Sequence, residues 1–401
     1  MGNPHLNIPS FHIAGTNGKG SVAHMINAML SRAGYRTGLY TSPHLLEINE
    51  RIMCCDRAIP SEILSLYIDE ITEYVESNGS IAPTYFDVLT ACAFRYFNDC
   101  HAECAVIETG LGGRLDSTNV VMPICSIITD ISIDHAAILG NTLSAISREK
   151  AGIIKDRVPV VTSNTEPSVL GPIAEAAGFH GSPLYVYNRE YHSKNTTETS
   201  TGFCFDYFLE SGILTSMPGI LINHPLGKQV VNSSSAITAA VISRGHFPGL
   251  TDDVIRGCIN DFCAPGRFQT LWMAPLVIFD PAHNEAALHE MFQVVSHRFP
   301  GRELSVIVSL MEDKDIESIM SMMAAQGIRA CYYILNDPRC YKPKKGDYPD
   351  VIDHIVQADF TDLAAILDRS ASSSSLFFFT GSFRLYRTAL DYARHICVKC
   401  S

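Results

Sequence analysis

The run Gly15-Thr16-Asn17-Gly18-Lys19-Gly20-Ser21 could hold a chain of phosphates. Glycines let backbone N–H groups turn inward on phosphate oxygens. A helix that begins here would add partial positive charge from its N-terminus. The Lys19 ammonium can bridge the outer phosphates, and the Ser21 hydroxyl can hold Mg2+. The strict pattern G-x-x-x-x-G-K-[ST] is not met, because position 13 is Ile and Gly20 separates Lys19 from Ser21. The surroundings still fit, since the apolar segment Phe11 to Ala14 precedes the loop and an amphipathic segment follows it. On these residues alone, an ATP-driven enzyme, a P-loop switch or transport ATPase, and a non-catalytic nucleotide-binding module all stay open.

Other residues carry chemistry in weaker patterns. Glu108 ends the apolar run Cys104-Ala105-Val106-Ile107, and ligands gather at strand C-termini in open parallel sheets. A carboxylate there suits Mg2+, and Gly110-Leu111-Gly112-Gly113 would let backbone approach a ligand. Taken alone, Glu108 reads equally as a surface residue at a strand end. His135, beside Asp134, reads by itself as a packed or surface histidine, because hard cations favour oxygen. Lys150, in Arg148-Glu149-Lys150, reads by itself as part of a solvated helix face. Thr84-x-x-Asp87 reads as a capping box.

These residues need elements to position them. Val22, Met25, Ile26, Met29, Leu30 and Ala33 recur at helical spacing, which predicts a helix over 20–33. Helices are also expected over Ser61 to Val75, Phe86 to Phe97 and Thr142 to Ile154. Strands are expected over Thr37 to Tyr40, Cys104 to Glu108, Ile124 to Thr129 and Val158 to Thr162. The alternation predicts an α/β fold with a mostly parallel sheet covered on both faces. The polar run Ser193 to Gly202 reads as an exposed loop within a strand-rich stretch that ends near Ile222. Helical pattern returns over Asn232 to Arg244. Ala264-Pro265-Gly266 is breaker chemistry, which predicts a hinge between a domain over 1–264 and a smaller α/β domain over 265–401. The second is expected to hold strands at Leu276 to Phe279, Leu304 to Val308 and Leu376 to Thr380.

Composition narrows the classes. With 46% hydrophobic and 18% charged residues over 401 positions, the chain is globular and long enough to fold without disulfides. Its apolar runs are too short to span a bilayer, so no membrane association is expected. The net charge of −12 argues against a nucleic-acid partner. Thirteen scattered cysteines and an N-terminus without an apolar signal segment predict reduced thiols in the cytoplasm.

A resemblance then becomes specific. The loop Gly15 to Ser21 resembles the variant phosphate loop of folylpolyglutamate synthases and dihydrofolate synthases, in the Mur ligase superfamily. So do Thr41-Ser42-Pro43-His44-Leu45 with Glu50-Arg51-Ile52, the run Glu108 to Asn119, Asp134-His135 with Leu139-Gly140, and Arg148 to Ile153. Pro265-Gly266-Arg267-Phe268, Asp280-x-Ala282-His283-Asn284, Asp313-Lys314-Asp315 and Gly381-Ser382 follow in family order. The resemblance implies a P-loop-type domain like the Mur ligase central domain and a smaller Rossmann-like C-terminal domain. It implies an ATP-dependent ligase that adds L-glutamate to dihydropteroate and to the γ-carboxylate of tetrahydrofolates through an acyl phosphate. The alternatives are folylpolyglutamate synthase activity alone, or a Mur-type ligase that adds an amino acid to a cell-wall precursor.

The resemblance also assigns roles. Thr16, Asn17, Gly18, Lys19, Gly20 and Ser21 would bind the phosphates of ATP. Asn232, Arg267, Asp280 and His283 would contact the nucleotide. Mg2+ would occupy two sites, one at Ser21 and one at Ser42, Glu108 and His135, and the pattern also admits a monovalent cation. Lys150 would carry a carbamate, which needs a lysine with a depressed pKa. Thr84, Tyr85, Phe86, Leu115, Asp116 and Ser117 would hold the pterin. The partners expected are L-glutamate, dihydropteroate and reduced folates, with a monomeric protein. The family usually has some tens of residues before the first strand that help build the dihydropteroate site. Here Gly2-Asn3-Pro4 lies almost on that strand, so either the start lies upstream or the pterin site is built differently.

Overall fold

The structure is a computed structural model that describes residues 2–79, 82–211 and 214–400. The chain forms two compact units, Met1–Cys263 and Ala264–Ser401.

The first unit contains an eight-stranded sheet. Its strands are β1 (Ser10–Ala14), β2 (Thr37–Tyr40), β3 (Ile52–Cys54), β4 (Arg57–Ala58), β5 (Cys104–Glu108), β6 (Cys125–Ile128), β7 (Val160–Thr162) and β8 (Leu184–Val186). Their order is β4-β3-β2-β5-β1-β6-β7-β8, with β3 and β4 antiparallel at one edge and the other six parallel. Every residue of β1, β5 and β6 is buried, which is why these strands read as apolar runs without alternation. Because they run parallel, β1, β2, β5 and β6 end on one side of the sheet. Ile13 stands opposite Glu108, and Ala14 opposite Ile128.

The helices of this unit are α1 (Lys19–Arg32), α2 (Ser61–Asn78), α3 (Tyr85–Asp99), α4 (Ala136–Leu139), α5 (Leu143–Ala151), α6 (Pro167–Phe179), α7 (Lys228–Ile242) and α8 (Asp252–Asn260). The capping box of α3 forms: Thr84 Oγ1 accepts from Asp87 N at 3.1 Å, and Asp87 Oδ2 accepts from Thr84 N at 2.8 Å. α7 is buried nearly all round, and small residues such as Ser233 let it lie against α1 at Met25.

A separate antiparallel sheet holds β9 (Tyr191–Glu198), β10 (Phe203–Leu209) and β11 (Thr215–Ile222). The expected loop over 193–202 is corrected here. The strand continues to Glu198, which pairs with Phe203, and only Thr199 to Gly202 turns. The outer residues of β9 are exposed, so their polarity reflects contact with water rather than an unpaired backbone.

The second unit has strands β12 (Gln269–Met273), β13 (Leu276–Asp280), β14 (Glu303–Val308), β15 (Ala330–Ile334), β16 (Ile352–Gln357) and β17 (Ser375–Thr380). Their order is β12-β13-β17-β14-β15-β16, parallel except for β12. Helices α9 (Glu285–Arg298), α10 (Ile316–Ala325), α11 (Phe360–Asp368) and α12 (Tyr386–Cys400) connect or follow them. β17 is buried throughout between β13 and β14, which accounts for its Leu-Phe-Phe-Phe run. Among the described residues no helix is long and apolar enough to cross a membrane.

Candidate active site

The glycine-rich loop Gly15 to Gly18 leaves β1 and enters α1. Gly15 has φ +152°, and a Cβ there would lie 1.9 Å from Thr129 Oγ1, so no other residue fits. The segment after β6 fastens the loop. Asp130 O accepts from Thr16 N at 2.7 Å and Asn17 N at 3.2 Å, while Thr16 Oγ1 donates to Ser132 O at 3.1 Å. Asn17 Nδ2 donates to Asp130 Oδ2 and Ser132 Oγ, both at 3.1 Å. Gly18, at φ +89°, precedes the first turn of α1, whose N–H groups have no partner inside the helix. Lys19 Nζ donates to Gly15 O at 3.0 Å and Thr16 O at 3.3 Å.

α7 supports the loop from the side. Gln229 Nε2 donates to Ser21 Oγ at 3.1 Å, and Asn232 Nδ2 donates to Gln229 Oε1 at 3.2 Å. A Cβ on Gly18 would come within 2.6 Å of Asn232 Oδ1. Asn232 therefore lies directly against the loop, and Gly18 is the residue that lets it.

Lys150 meets the loop from the end of α5. Its side chain is buried, and its Nζ donates to Gly15 O at 2.7 Å. The amino groups of Lys19 and Lys150 thus share one carbonyl oxygen. Burial first, and then the nearby Lys19 charge, lower the Lys150 pKa to about 7, against the opposing pull of Asp134 and Asp116. The lysine that looked solvated in the sequence is buried because the glycine loop packs on α5. A Cβ at Gly113 would lie 2.9 Å from Glu149 O and 3.0 Å from Lys150 O.

Glu108 lies at the end of β5, 2% exposed, and its Oε2 accepts from Ser42 N at 3.1 Å. His135 adopts φ +51° ahead of α4, and its N–H donates to Asp134 Oδ1 at 2.9 Å.

Asp116 organises the glycine loop. Its Oδ2 accepts from Gly110 N at 2.9 Å and Leu111 N at 2.8 Å, and its Oδ1 from Thr118 N at 3.0 Å and Thr118 Oγ1 at 2.5 Å. Ser117 Oγ donates to Asp87 Oδ1, which ties this loop to the start of α3 beside Thr84. Phe86 stacks on Tyr40 with centroids 5.6 Å apart, and a Cβ on Gly110 would lie 2.6 Å from its ring. Tyr85 is exposed beneath the Arg51 guanidinium, 5.8 Å away, and Leu115 is 79% exposed. The structure thus brings Thr84, Phe86, Asp116 and Ser117 into one neighbourhood.

His12 and Thr118 extend that network into the sheet. His12 is fully buried in β1, and its Nε2 lies 2.8 Å from Thr118 Oγ1. Thr118 donates its own proton to Asp116, so its oxygen must accept from His12. This places the imidazole proton on Nε2 and leaves Nδ1 without a partner. Burial lowers the His12 pKa to about 3, so the ring is neutral. Thr118→Val keeps the volume but removes this link. It is expected to cost about 1–3 kcal/mol, read as a lower thermal midpoint of the full chain. An unchanged midpoint would show that the link carries no structural weight.

In the second unit, Arg267 and His283 both flank Phe383. The guanidinium lies 4.8 Å from the ring centroid, and the imidazole centroid 6.5 Å away. Asp280 is 5% exposed and accepts from Phe268 N at 2.8 Å and Ala282 N at 2.9 Å. Burial raises its pKa, and the Arg267 charge opposes this.

The sequence reading singled out neither His12 nor Thr118, and it gave no role to Gln229. A histidine inside an apolar strand was the available signal for His12. Gln229 has no local signal, because its partner Ser21 is far away in the chain.

A family description for the Mur ligase middle domain matches residues 13–240. The chain is 32% identical to a Bacillus subtilis dihydrofolate synthase/folylpolyglutamate synthase, over 95% of this chain and 90% of that one. A Mycobacterium tuberculosis folylpolyglutamate synthase complexed with ADP is similar in structure, with a TM-score of 0.85 at 29% identity, covering 98% of this chain and 91% of that one. Escherichia coli FolC in complex with DHPP and ADP gives a TM-score of 0.85 at 26% identity, covering 99% and 91%.

Proposed function

Because the chain belongs to the dihydrofolate synthase/folylpolyglutamate synthase family of Mur ligases, we propose that it joins L-glutamate to dihydropteroate and to the γ-carboxylate of reduced folates. It is an ATP-dependent, amide-bond-forming ligase. The observation that carries the reading is the convergence of Lys19 and Lys150 on Gly15 O at the mouth of the loop. The acceptor's carboxylate attacks the γ-phosphate of ATP, giving an acyl phosphate and ADP. The amino group of glutamate then attacks the acyl carbon, and phosphate leaves.

Thr16 to Ser21 hold the phosphates, and Lys19 leaves its loop carbonyls to meet the charge on the transferring group. Mg2+ suits the donors present, since Glu108 is a buried carboxylate and Ser21 and Ser42 bring hydroxyl oxygens. His135 joins Ser42 and Glu108 in the proposed second set. These residues would hold Mg2+, which would supply positive charge against the phosphates and the acceptor carboxylate. Lys150, with a pKa near 7, has the neutral amine that carbamate formation with CO2 requires. Asn232, Arg267, Asp280 and His283 are assigned to the nucleotide. Thr84, Tyr85, Phe86, Leu115, Asp116 and Ser117 are assigned to the pterin. The protein is read as a cytoplasmic monomer.

The test is phosphate release from ATP with L-glutamate, comparing 7,8-dihydropteroate with tetrahydrofolate as acceptor. Turnover with both is expected. Turnover with tetrahydrofolate alone would restrict the activity to folylpolyglutamate synthesis. Turnover that ignores glutamate, or none at all, would overturn the reading.

A further inference from the structure

Ser21 lies in the first turn of α1, and Gln229 lies in the first turn of α7. Both side chains are buried. Gln229 Nε2 donates to Ser21 Oγ at 3.1 Å, and Gln229 Oε1 accepts from Asn232 Nδ2 at 3.2 Å. A primary amide offers N–H groups at one end and an oxygen at the other. Asn232 takes the oxygen, so the N–H end is the one turned on Ser21.

A hydroxyl has one proton to give and two lone pairs. Gln229 occupies one lone pair of Ser21 Oγ. Serines and threonines inside helices can instead bond back to the carbonyl four residues earlier. Ser234, Ser235 and Thr238 of α7 do so, reaching Val230 O at 2.8 Å, Val231 O at 3.1 Å and Ser234 O at 2.8 Å. Among the described residues Ser21 makes no such bond within α1. Its hydroxyl is held by a donor on another helix, and its second lone pair is left for a hard cation.

The two helices fix this contact. Ser21 and Met25 are one turn apart on α1, and Gln229 and Ser233 are one turn apart on α7, so each pair shares a helix face. Ser233 Oγ lies 3.7 Å from Met25 Sδ, one turn beyond the bond between Gln229 and Ser21. Gln229 N donates to Leu226 O at 3.0 Å, which closes the turn that opens α7. Burying an amide is costly unless both its ends are paired. Both ends of Gln229 are paired, one with a side chain assigned to the metal and one with a side chain assigned to the nucleotide.

We propose that Gln229 is a positioning residue for Mg2+. By donating to one lone pair of Ser21 Oγ, it orients the hydroxyl so that the other lone pair serves the cation. The proposal rests on the ligase reading above, which gives Ser21 to Mg2+ and Asn232 to the nucleotide. Gln229 acts through Ser21 alone.

The test is ADP binding to the full chain, measured calorimetrically with excess Mg2+ and again with EDTA. The ratio of the two dissociation constants is the gain that Mg2+ gives. The wild type is expected to bind ADP more tightly with Mg2+. Gln229→Met is similar in length and removes both hydrogen bonds. Its gain is expected to fall by about tenfold, as when the hydrogen-bond partner of a metal ligand is lost, while its affinity in EDTA changes far less. Ser21→Ala is expected to lose the same gain, and adding Gln229→Met to it should change nothing further. Gln229→Asn withdraws the amide by one methylene, and the same loss is expected from it should the methionine variant fail to fold in a thermal melt. A residue that only supports the fold would weaken ADP equally in both buffers. That result, an unchanged gain in the Gln229 variants, or a further loss in the double variant would each overturn the proposal. So would wild-type ADP binding that ignores Mg2+. Failure of the ligase reading would appear separately, as absent glutamate-dependent phosphate release in a wild type that still binds ADP.

Discussion

A Lys19→Ala variant is expected to fold, to keep its thermal midpoint, and to lose about a thousandfold or more of its phosphate release. In the folded chain Lys19 meets Gly15 O and Thr16 O, contacts within its own loop and partly open to water. Their loss costs little stability, because Asp130 and Ser132 hold the loop independently. The chemistry has no such reserve. Charge spreads over the transferring phosphoryl, and Lys150, the other amine at the loop, is buried and near neutral. The measurement is glutamate-dependent phosphate release beside a thermal melt. Full activity in a folded variant would remove Lys19 from the mechanism.

Lys150→Met is expected to separate activity from stability in opposite directions. Ligation should fall by about 10²–10³-fold, as when one preorganised electrostatic group is lost. Wild-type activity should also fall in buffer stripped of CO2, return when bicarbonate is added, and decline as pH drops through about 7, where the amine takes up a proton. Stability should move the other way. In the unfolded chain Lys150 titrates near 10.5, and in the folded chain near 7. Below pH 7 both forms are protonated, and the folded state bears the whole cost of a buried charge, roughly 5 kcal/mol at most. Between pH 7 and 10.5 the unfolded chain binds the extra proton, so stability rises with pH. Lys150→Met should therefore raise the melting midpoint most at pH 6 and hardly at all near pH 10.5. A variant with full activity, or one less stable at pH 6, would contradict this account.

The sequence was most legible where burial is complete. Thr37–Tyr40 and Cys104–Glu108 have the bounds that their apolar runs predict, because both strands lie inside the sheet. The capping box at Thr84 was equally plain, since it depends on residues three apart. Legibility failed where a residue's surroundings come from elsewhere in the chain. β9 looked like a loop because most of its side chains face water while its backbone is paired. Lys150 looked solvated because the glycines that press on α5 lie more than thirty positions earlier. The strand–loop–helix setting of Gly15 to Ser21 was readable, but the clamp on the loop by Asp130, Ser132 and Gln229 was not. Those contacts exist only once β6 and α7 have docked.

The small antiparallel sheet bears on how the protein behaves when concentrated. An open strand edge offers unpaired amides and carbonyls on which another chain can template. At β11 two of those groups are already taken by α8. Leu221 N–H donates to Asn260 Oδ1, and Pro218 O accepts from Arg256. Pro218 itself lacks the donor a new strand would seek. The opposite edge presents Lys194, Asn195 and Glu198, whose charge and hydration oppose stacking. Neither border invites a neighbouring molecule to extend the sheet, so crowding should not turn this region into a seed for fibrils.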